Sequence, residues 1–392
     1  MTYTQQEKTR QIAWKMHTAA LPDEARYPAP YIGKDGLPGD CSFDFCVPGE
    51  FARYNLLPEV RAGALELFAE LGIPWHASAN NGPTNHLVSS QVQCVNALMP
   101  MVRDPARLVR AFGATLGTAE VLEIEPGRYL TFEYIGPEDF FNEAPAGDRI
   151  RGAHCTSVDA AFLHRTIDGI VELVLVEWKY TEYYRLRRPD PAKDKVRLAR
   201  YGDAVTNPDG PVRADVLAFE HLLDEPFYQL VRQQLLAHAL EQRGAEGASR
   251  VRIVHVLPAD NDAYQRSLAR PEHRALGDSV SDVWHKLLRH PDRFIHMDPA
   301  VFLDAEITSR EYVLRHCDAV VHDLPELLAA LGVGDREDIG DPEGVEDAID
   351  FEGTVCFHPD SVELIIDAIG TALTYPFTLG ELHALSGELD PG

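Results

Sequence analysis

The stretch that most constrains this chain runs from Thr156 to Tyr180 and reads as one β-hairpin. Its second arm, Ile170 to Val176, is almost continuously apolar, and such a run bounded by turn residues reads as a buried central strand. Asp168-Gly169 is the turn. A three-residue loop, Ile167 to Gly169 with Gly169 left-handed, sets Thr166 against Ile170, so that opposing residue numbers sum to 336. Asp159 then stands opposite Glu177. Alternation along the strand turns Glu177 and Lys179 to one face and Trp178 to the other. A two-residue Asp-Gly loop would instead set Asp159 opposite Trp178, and the acids would then meet only through a bulge.

Two carboxylates and an ammonium on one patch suit metal-assisted hydrolysis. Mg²⁺ takes oxygen ligands, commonly one or two carboxylates with water and substrate phosphate, and Asp159 and Glu177 would be those ligands. Lys179 beside the attacking water would orient it and stabilise charge on phosphorus. Mn²⁺ would serve the same donors. Acid-x-lysine triplets also arise by chance: 62 acids and 7 lysines in 392 residues give about one, and one is present. Its position is what distinguishes it, at the end of the most apolar strand with an acid registered across a turn. Of 36 positive charges, 29 are Arg, so Lys is the rarer choice here. The bland alternative is a strand end whose charges meet solvent.

At these residues the sequence resembles the PD-(D/E)XK nuclease superfamily, whose signature is an acid on one strand and Asp/Glu-x-Lys on the next. Asp159 and Glu177-Trp-Lys179 match it, with Val158 where the family name has Pro. More narrowly, Glu177-Trp-Lys-Tyr-Thr-Glu182, the upstream run from His86 to Asn96 and Phe132-Glu-Tyr134 look like a prokaryotic group of predicted restriction endonucleases. The likeness spans about 50 to 300. It implies an α/β fold with a restriction-endonuclease-like αβββαβ core, a mixed central sheet flanked by helices. It also implies a polar contribution from the helix before the first strand, where Gln91 and Asn96 lie, and from the helix after the catalytic strand, where Arg232 and Gln233 lie. Satisfied backbone contacts or solvation are the ordinary alternatives for each.

Net charge of −26 runs against DNA binding, which favours basic surfaces. The distribution softens this: residues 318–392 hold 18 acids and one Arg, net −17, leaving −9 for the rest. Between Lys179 and Tyr201, eight cations face three acids. Arg185, Arg187, Arg188, Lys193 and Lys195 in this basic loop are the candidates for nucleic-acid contact, a solvated loop being the alternative. The six cysteines lack paired spacing and read as reduced. No apolar run reaches membrane-span length and the polar start is not a signal peptide, so a cytoplasmic protein without membrane contact is expected.

Along the chain, residues 5 to 18 read as a helix, 22 to 48 as a Pro/Gly-rich arm and 58 to 71 as an amphipathic helix. Asn85 is placed as cap of a helix from His86 to Met101. Residues 120 to 125 and 129 to 135 read as a hairpin about Pro126-Gly127, which would make Glu133 a third carboxylate or the partner of an Arg. Phe227 to Leu240 is helical and Val251 to Leu257 a buried strand. The division expected is 1–50, N-terminal helix and arm; 51–300, nuclease-like core; and 301–392, an acidic, mainly helical region. A calcium loop at 335 to 346 is imperfect because Ile339 holds a ligand position, and a zinc site from His316, Cys317, His322, Cys356 and His358 is the sharpest use of the cysteines.

The leading reading is a Mg²⁺-dependent endonuclease acting on DNA in restriction or repair, a prokaryotic defence role among them. Its rival is a catalytically silent nuclease fold that binds nucleic acid or regulates. A homodimer, and a protein partner for the acidic region, are compatible with either.

Overall fold

The computed structural model describes residues 1–76, 82–144, 147–185 and 190–317, together with the backbone of three later strands. The chain divides into two compact units, Met1–Val313 and Leu314–Gly392.

In the first unit, helix α1 (Tyr3–His17) is capped by Thr2 and followed by a small hairpin, β1 (Ala29–Ile32) and β2 (Pro38–Phe43). Helices α2 (Pro58–Leu71), α3 (Ser90–Leu98) and α4 (Pro105–Leu116) precede strands β3 (Thr118–Leu122), β4 (Leu130–Tyr134), β5 (Val158–Thr166) and β6 (Val171–Trp178). Helices α5 (Pro191–Thr206) and α6 (Phe227–Arg243) lead to β7 (Arg250–Val256), and further short helices lead to β8 (Phe294–Met297). The sheet runs β3-β5-β6-β7-β8, with β4 also on β5. β5 and β6 are antiparallel, whereas β6, β7 and β8 are parallel and therefore need helical crossovers between them.

Pleat alternation divides the core. Val174, Val176 and Trp178 pack with α2, α3 and α4, while Leu173 and Leu175 pack with α6. These five side chains are at most 1% exposed, and full burial of a Val or Leu contributes about 1.5–3 kcal/mol. The mixed sheet flanked by helices is the α/β architecture expected.

Several local expectations are corrected. β3 and β4 do not pair with each other: Leu122 faces Leu163 and Leu130 faces Phe162, so they form one interrupted strand along β5. The Pro126-Gly127 turn exists, Arg128 N–H bonding Glu125 C=O at 2.8 Å, but it closes an excursion within that strand. The helix expected from His86 begins at Ser90, capped by Ser89. Asn85 instead ties β1 to the segment at Val47, donating to Pro30 and Val47 and accepting from Ile32. The second half of the basic segment is helix α5, which Asp190 caps and Pro191 opens.

In the second unit, strands Glu352–His358, Ser361–Ala368 and Thr371–Phe377 form an antiparallel sheet with the middle strand central. Among the described residues beyond 317 the backbone is strand rather than the helix expected; β-branched residues such as Thr354, Val362, Ile365, Ile366 and Thr374 favour extended backbone there. The imperfect calcium loop and His322 lie outside the described residues.

Candidate active site

The hairpin turn has the three-residue form. Thr166 N–H bonds Ile170 C=O at 2.9 Å, and Gly169 sits at φ 83°, where a Cβ would be strained. The register follows: Ala160 faces Val176 and Arg165 faces Val171. Continued one step, it sets Asp159 opposite Glu177. The backbone ladder stops at Ala160, and the Asp159 carboxylate takes over, Oδ2 accepting from Trp178 N–H at 2.7 Å.

Glu177 is 2% exposed and Lys179 4%. The Lys179 ammonium donates to Glu177 Oε1 at 2.6 Å and to Gln229 Oε1 at 2.8 Å. Gln229 Nε2 donates to the same Glu177 oxygen at 2.8 Å, and Gln233 Nε2 bonds Glu177 Oε2. Gln229 and Gln233 are four apart on α6 and so share one face. Burial alone would depress the Lys179 pKa, but the Glu177 carboxylate, with smaller help from Tyr184, Glu182 and Tyr264, lifts it well above the ordinary lysine value. Lys179 is therefore cationic.

Asp159 shows the reverse balance. Burial, then the charges of Glu177 and Glu133, push its carboxyl well above the usual range, against the opposing pull of Lys179 and the Trp178 N–H. Glu133 is raised as well, chiefly by burial. It occupies a left-handed backbone position, φ 48°, unusual for a side-chain-bearing residue and costing on the order of 1–3 kcal/mol. Its carboxylate accepts from Ser157 Oγ at 2.8 Å and from Gln91 Nε2 at 3.3 Å. Gly152 leaves room for it, since a Cβ there would come within 3.1 Å of the Glu133 carboxyl carbon. Gln91 thus holds Glu133, while Asn96 bridges the backbone of Leu57 and Asn55.

On the far side of β6, His255 of β7 stands beside Glu177 in register and its Nε2 lies 3.3 Å from Tyr264 Oη. Burial, then His296 and Lys179, hold its pKa well below the usual value, leaving it neutral. Helix α1 supports the segment after Lys179: Tyr180 Oη donates to Glu7 at 2.6 Å and accepts from Gln11. Trp178 Nε1 donates to Gln93 Oε1 at 2.8 Å in the opposite layer.

The structure thus brings together Asp159, Glu177, Lys179 and Gln233, with Gln91 and Glu133 alongside. Gln229 was missed, although its spacing from Gln233 signalled the shared face. Arg185, Lys193 and Lys195 are exposed; Arg187 and Arg188 lie outside the described residues. No group of three or more His, Cys, Asp or Glu among the described residues is arranged to hold a metal.

Residues 8–319 match the model of a family described as Restriction Endonuclease associating with ARP. The chain belongs to this family. The match covers most of the first unit and reaches further toward both ends than the expected likeness, taking in most of α1 but not the strongly acidic remainder. No curated protein and no solved structure matches the chain. Among the described residues of this restriction-endonuclease family member, no helix is long and apolar enough to cross a membrane.

Proposed function

We propose that this chain is a divalent-metal-dependent endonuclease that hydrolyses DNA phosphodiester bonds, with Asp159, Glu177 and Lys179 as its catalytic residues. The observation that carries the reading is the Lys179 ammonium held 2.6 Å from Glu177 beneath a registered Asp159, in a chain of restriction-endonuclease family.

The donor set fits a hard cation such as Mg²⁺ or Mn²⁺. Three acids, Glu133, Asp159 and Glu177, interact around one ammonium, an imbalance that a cation would relieve. Gln233 Oε1 is buried without a hydrogen-bond donor among the described residues, so a metal-bound water would have an acceptor there. Asp159 and Glu177 would hold the ion, consistent with a site of two carboxylates completed by water and phosphate. When bound, the ion would neutralise the scissile phosphate and acidify the attacking water.

The chain's own residues do the rest. Lys179 orients that water and stabilises charge developing on phosphorus. Gln229 and Gln233 fix the Glu177 carboxylate, whose Oε1 is filled by Lys179 and Gln229 while Oε2, with the one bond from Gln233, retains acceptor capacity. Gln91 and Ser157 hold Glu133 as a supporting carboxylate. The exposed Arg185, Lys193 and Lys195 meet the DNA backbone, with Arg187 and Arg188 assigned the same role. The family description names an association with ARP, and a protein partner for the acidic region belongs to the proposal as well.

The test is incubation of the purified chain with linear, circular, single-stranded and modified DNA, with Mg²⁺ and with chelator. Metal-dependent cleavage that Lys179→Ala removes supports the reading. DNA binding by a well-folded protein without turnover under any of these conditions favours the silent nuclease fold.

A further inference from the structure

Arg232 is the cation that the arrangement around Glu177 does not use. It lies on α6 between Gln229 and Gln233, and with Tyr228 it forms a second i,i+4 stripe beside theirs. That stripe faces α5 and the segment leading into β5. Tyr201 of α5 lies edge-on to Tyr228 at 6.1 Å, and its hydroxyl bonds Glu143, which also takes the N–H and hydroxyl of Thr156. Thr156 is two residues before β5, so these contacts tie the stripe to the strand that carries Asp159.

Its guanidinium lies over the Tyr228 ring, 5.2 Å from the centroid. Its Nε is buried with no hydrogen-bond partner among the described residues. The acids nearest in charge, Glu225 and Glu143, are engaged elsewhere: Glu225 accepts Gln229 N–H at 3.0 Å, and Glu143 is held by Thr156 and Tyr201. Arg197 makes the contrast. It too covers Tyr228, at 4.2 Å, but it donates to Leu223 C=O and lies 3.5 Å from Asp194.

A largely buried guanidinium whose Nε lacks a hydrogen bond is costly even in the field of Glu225 and Glu143, and the cation–π contact with Tyr228 recovers only part of that cost. The planar fork of Arg matches a phosphate with two parallel N–H donors, and the Tyr228 ring fixes the plane of that fork. We propose that Arg232 binds a backbone phosphate of the DNA strand next to the scissile one, so that it positions the strand across Asp159 and Glu177. This deepens the nuclease reading and rests on it. Arg232 is a positioning residue; the chemistry stays with Lys179 and the carboxylates.

The experiment measures duplex DNA binding by the full chain in chelator, as a function of salt, for wild type, Arg232→Gln and Arg232→Lys. A lost phosphate contact lowers the slope of log affinity against log salt by about 0.9, and loss of a charged hydrogen bond lowers affinity about tenfold. Arg232→Gln is expected to show both; Arg232→Lys should keep the slope and lose part of the affinity. Melting curves identify a variant that fails to fold. If Arg232→Gln is such a variant, duplexes carrying a single methylphosphonate decide, because neutralising one particular phosphate must then weaken wild type more than Arg232→Lys. Full slope in folded Arg232→Gln, or no such phosphate in the scan, overturns the assignment while leaving DNA binding and cleavage by wild type intact. A wild-type chain that binds no DNA takes down the nuclease reading and this one together.

Discussion

At the turn end of the central hairpin, the fully buried Glu172 is met by Arg250, by Arg252 at 3.1 Å and by His164 Nε2 at 3.0 Å, whose Nδ1 in turn lies 3.0 Å from Thr118 Oγ1. At the opposite end, buried Glu177 is met by one ammonium, with Asp159 and Glu133 adding negative charge to the same neighbourhood. Both clusters sit on β5, β6 and β7 or beside them, and both bury an acid. They differ in balance. A buried acid met by two guanidiniums has its charge fully compensated by the chain and is a finished structural joint, whereas acids in excess of cations leave electrostatic demand for something the chain does not contain. Within this one sheet, charge balance separates the joint from the candidate site more clearly than burial does.

The largest expected effect lies at the unbalanced end. Lys179→Ala should lower cleavage by about 10³-fold, the scale of removing a group that stabilises transition-state charge, while DNA and metal binding persist. Asp159→Ala should lose cleavage and weaken metal binding, read by calorimetry with Mg²⁺ or Mn²⁺. Wild-type turnover by the Lys179 variant would remove Lys179 from the mechanism. Glu172→Ala should instead leave the turnover of folded molecules near wild type.

At the turn end the effect appears in stability. Glu172→Ala strands two guanidiniums and should destabilise the chain by about 3–5 kcal/mol in urea unfolding. A cost below about 1 kcal/mol would mean that the two ends of the hairpin are not different devices.

The third expectation inverts the usual rule that buried mutations destabilise. The folded Asp159 carboxyl is raised well above the ordinary value of about 3.9, so the folded state binds its proton more tightly than the unfolded state does. Stability of the metal-free chain is therefore complete below that unfolded value and declines as pH rises through the raised one, by about 1.4 kcal/mol for each pH unit that separates the two. Asp159→Asn removes the decline and can still accept from Trp178 N–H. Its melting temperature, without metal, should equal wild type near pH 4 and exceed it near pH 8. Added Mg²⁺ should narrow the gap by stabilising wild type alone. A variant less stable than wild type at pH 8 would contradict the claim of electrostatic demand.

How far such a site could be read in advance depended on local rules. The hairpin register was legible because Gly169 fixes the loop and the loop fixes every opposing pair. The Trp178 layer followed from alternation. The β3–β4 pairing was misread because a Pro-Gly turn announces a reversal without saying whether the chain pairs with itself or resumes along a third strand. Helix α5 was hidden by its charge, which read as a solvated loop although Asp190-Pro191 is a proper helix start. Gln229 and the unpartnered Nε of Arg232 depend on how α6 rotates against β6, and that is decided by tertiary packing. The balance of Glu172 was invisible for the same reason, since Arg250 and Arg252 reach it from a strand 78 residues or more away.

The smallest expected effect extends charge balance from one site to the whole chain. Residues 318–392 carry net −17, and the family match ends at residue 319, so the excess belongs to a portion that the matched fold does not require. Such charge opposes approach of a polyanion, but exposed charges are screened beyond about 8 Å at physiological salt. Deleting residues 318–392 should therefore tighten non-specific DNA binding only about threefold near 150 mM salt and more at 50 mM, steepening the salt dependence. The measurement is a titration of fluorescent duplex across salt, with the melting curve of the truncated chain as control for folding. Because the deletion leaves Lys179, Glu177 and Asp159 untouched, cleavage per bound complex should not change. A folded truncation with unchanged affinity and slope would confine the meaningful imbalance to the hairpin end and leave the acidic region as a surface for a protein partner.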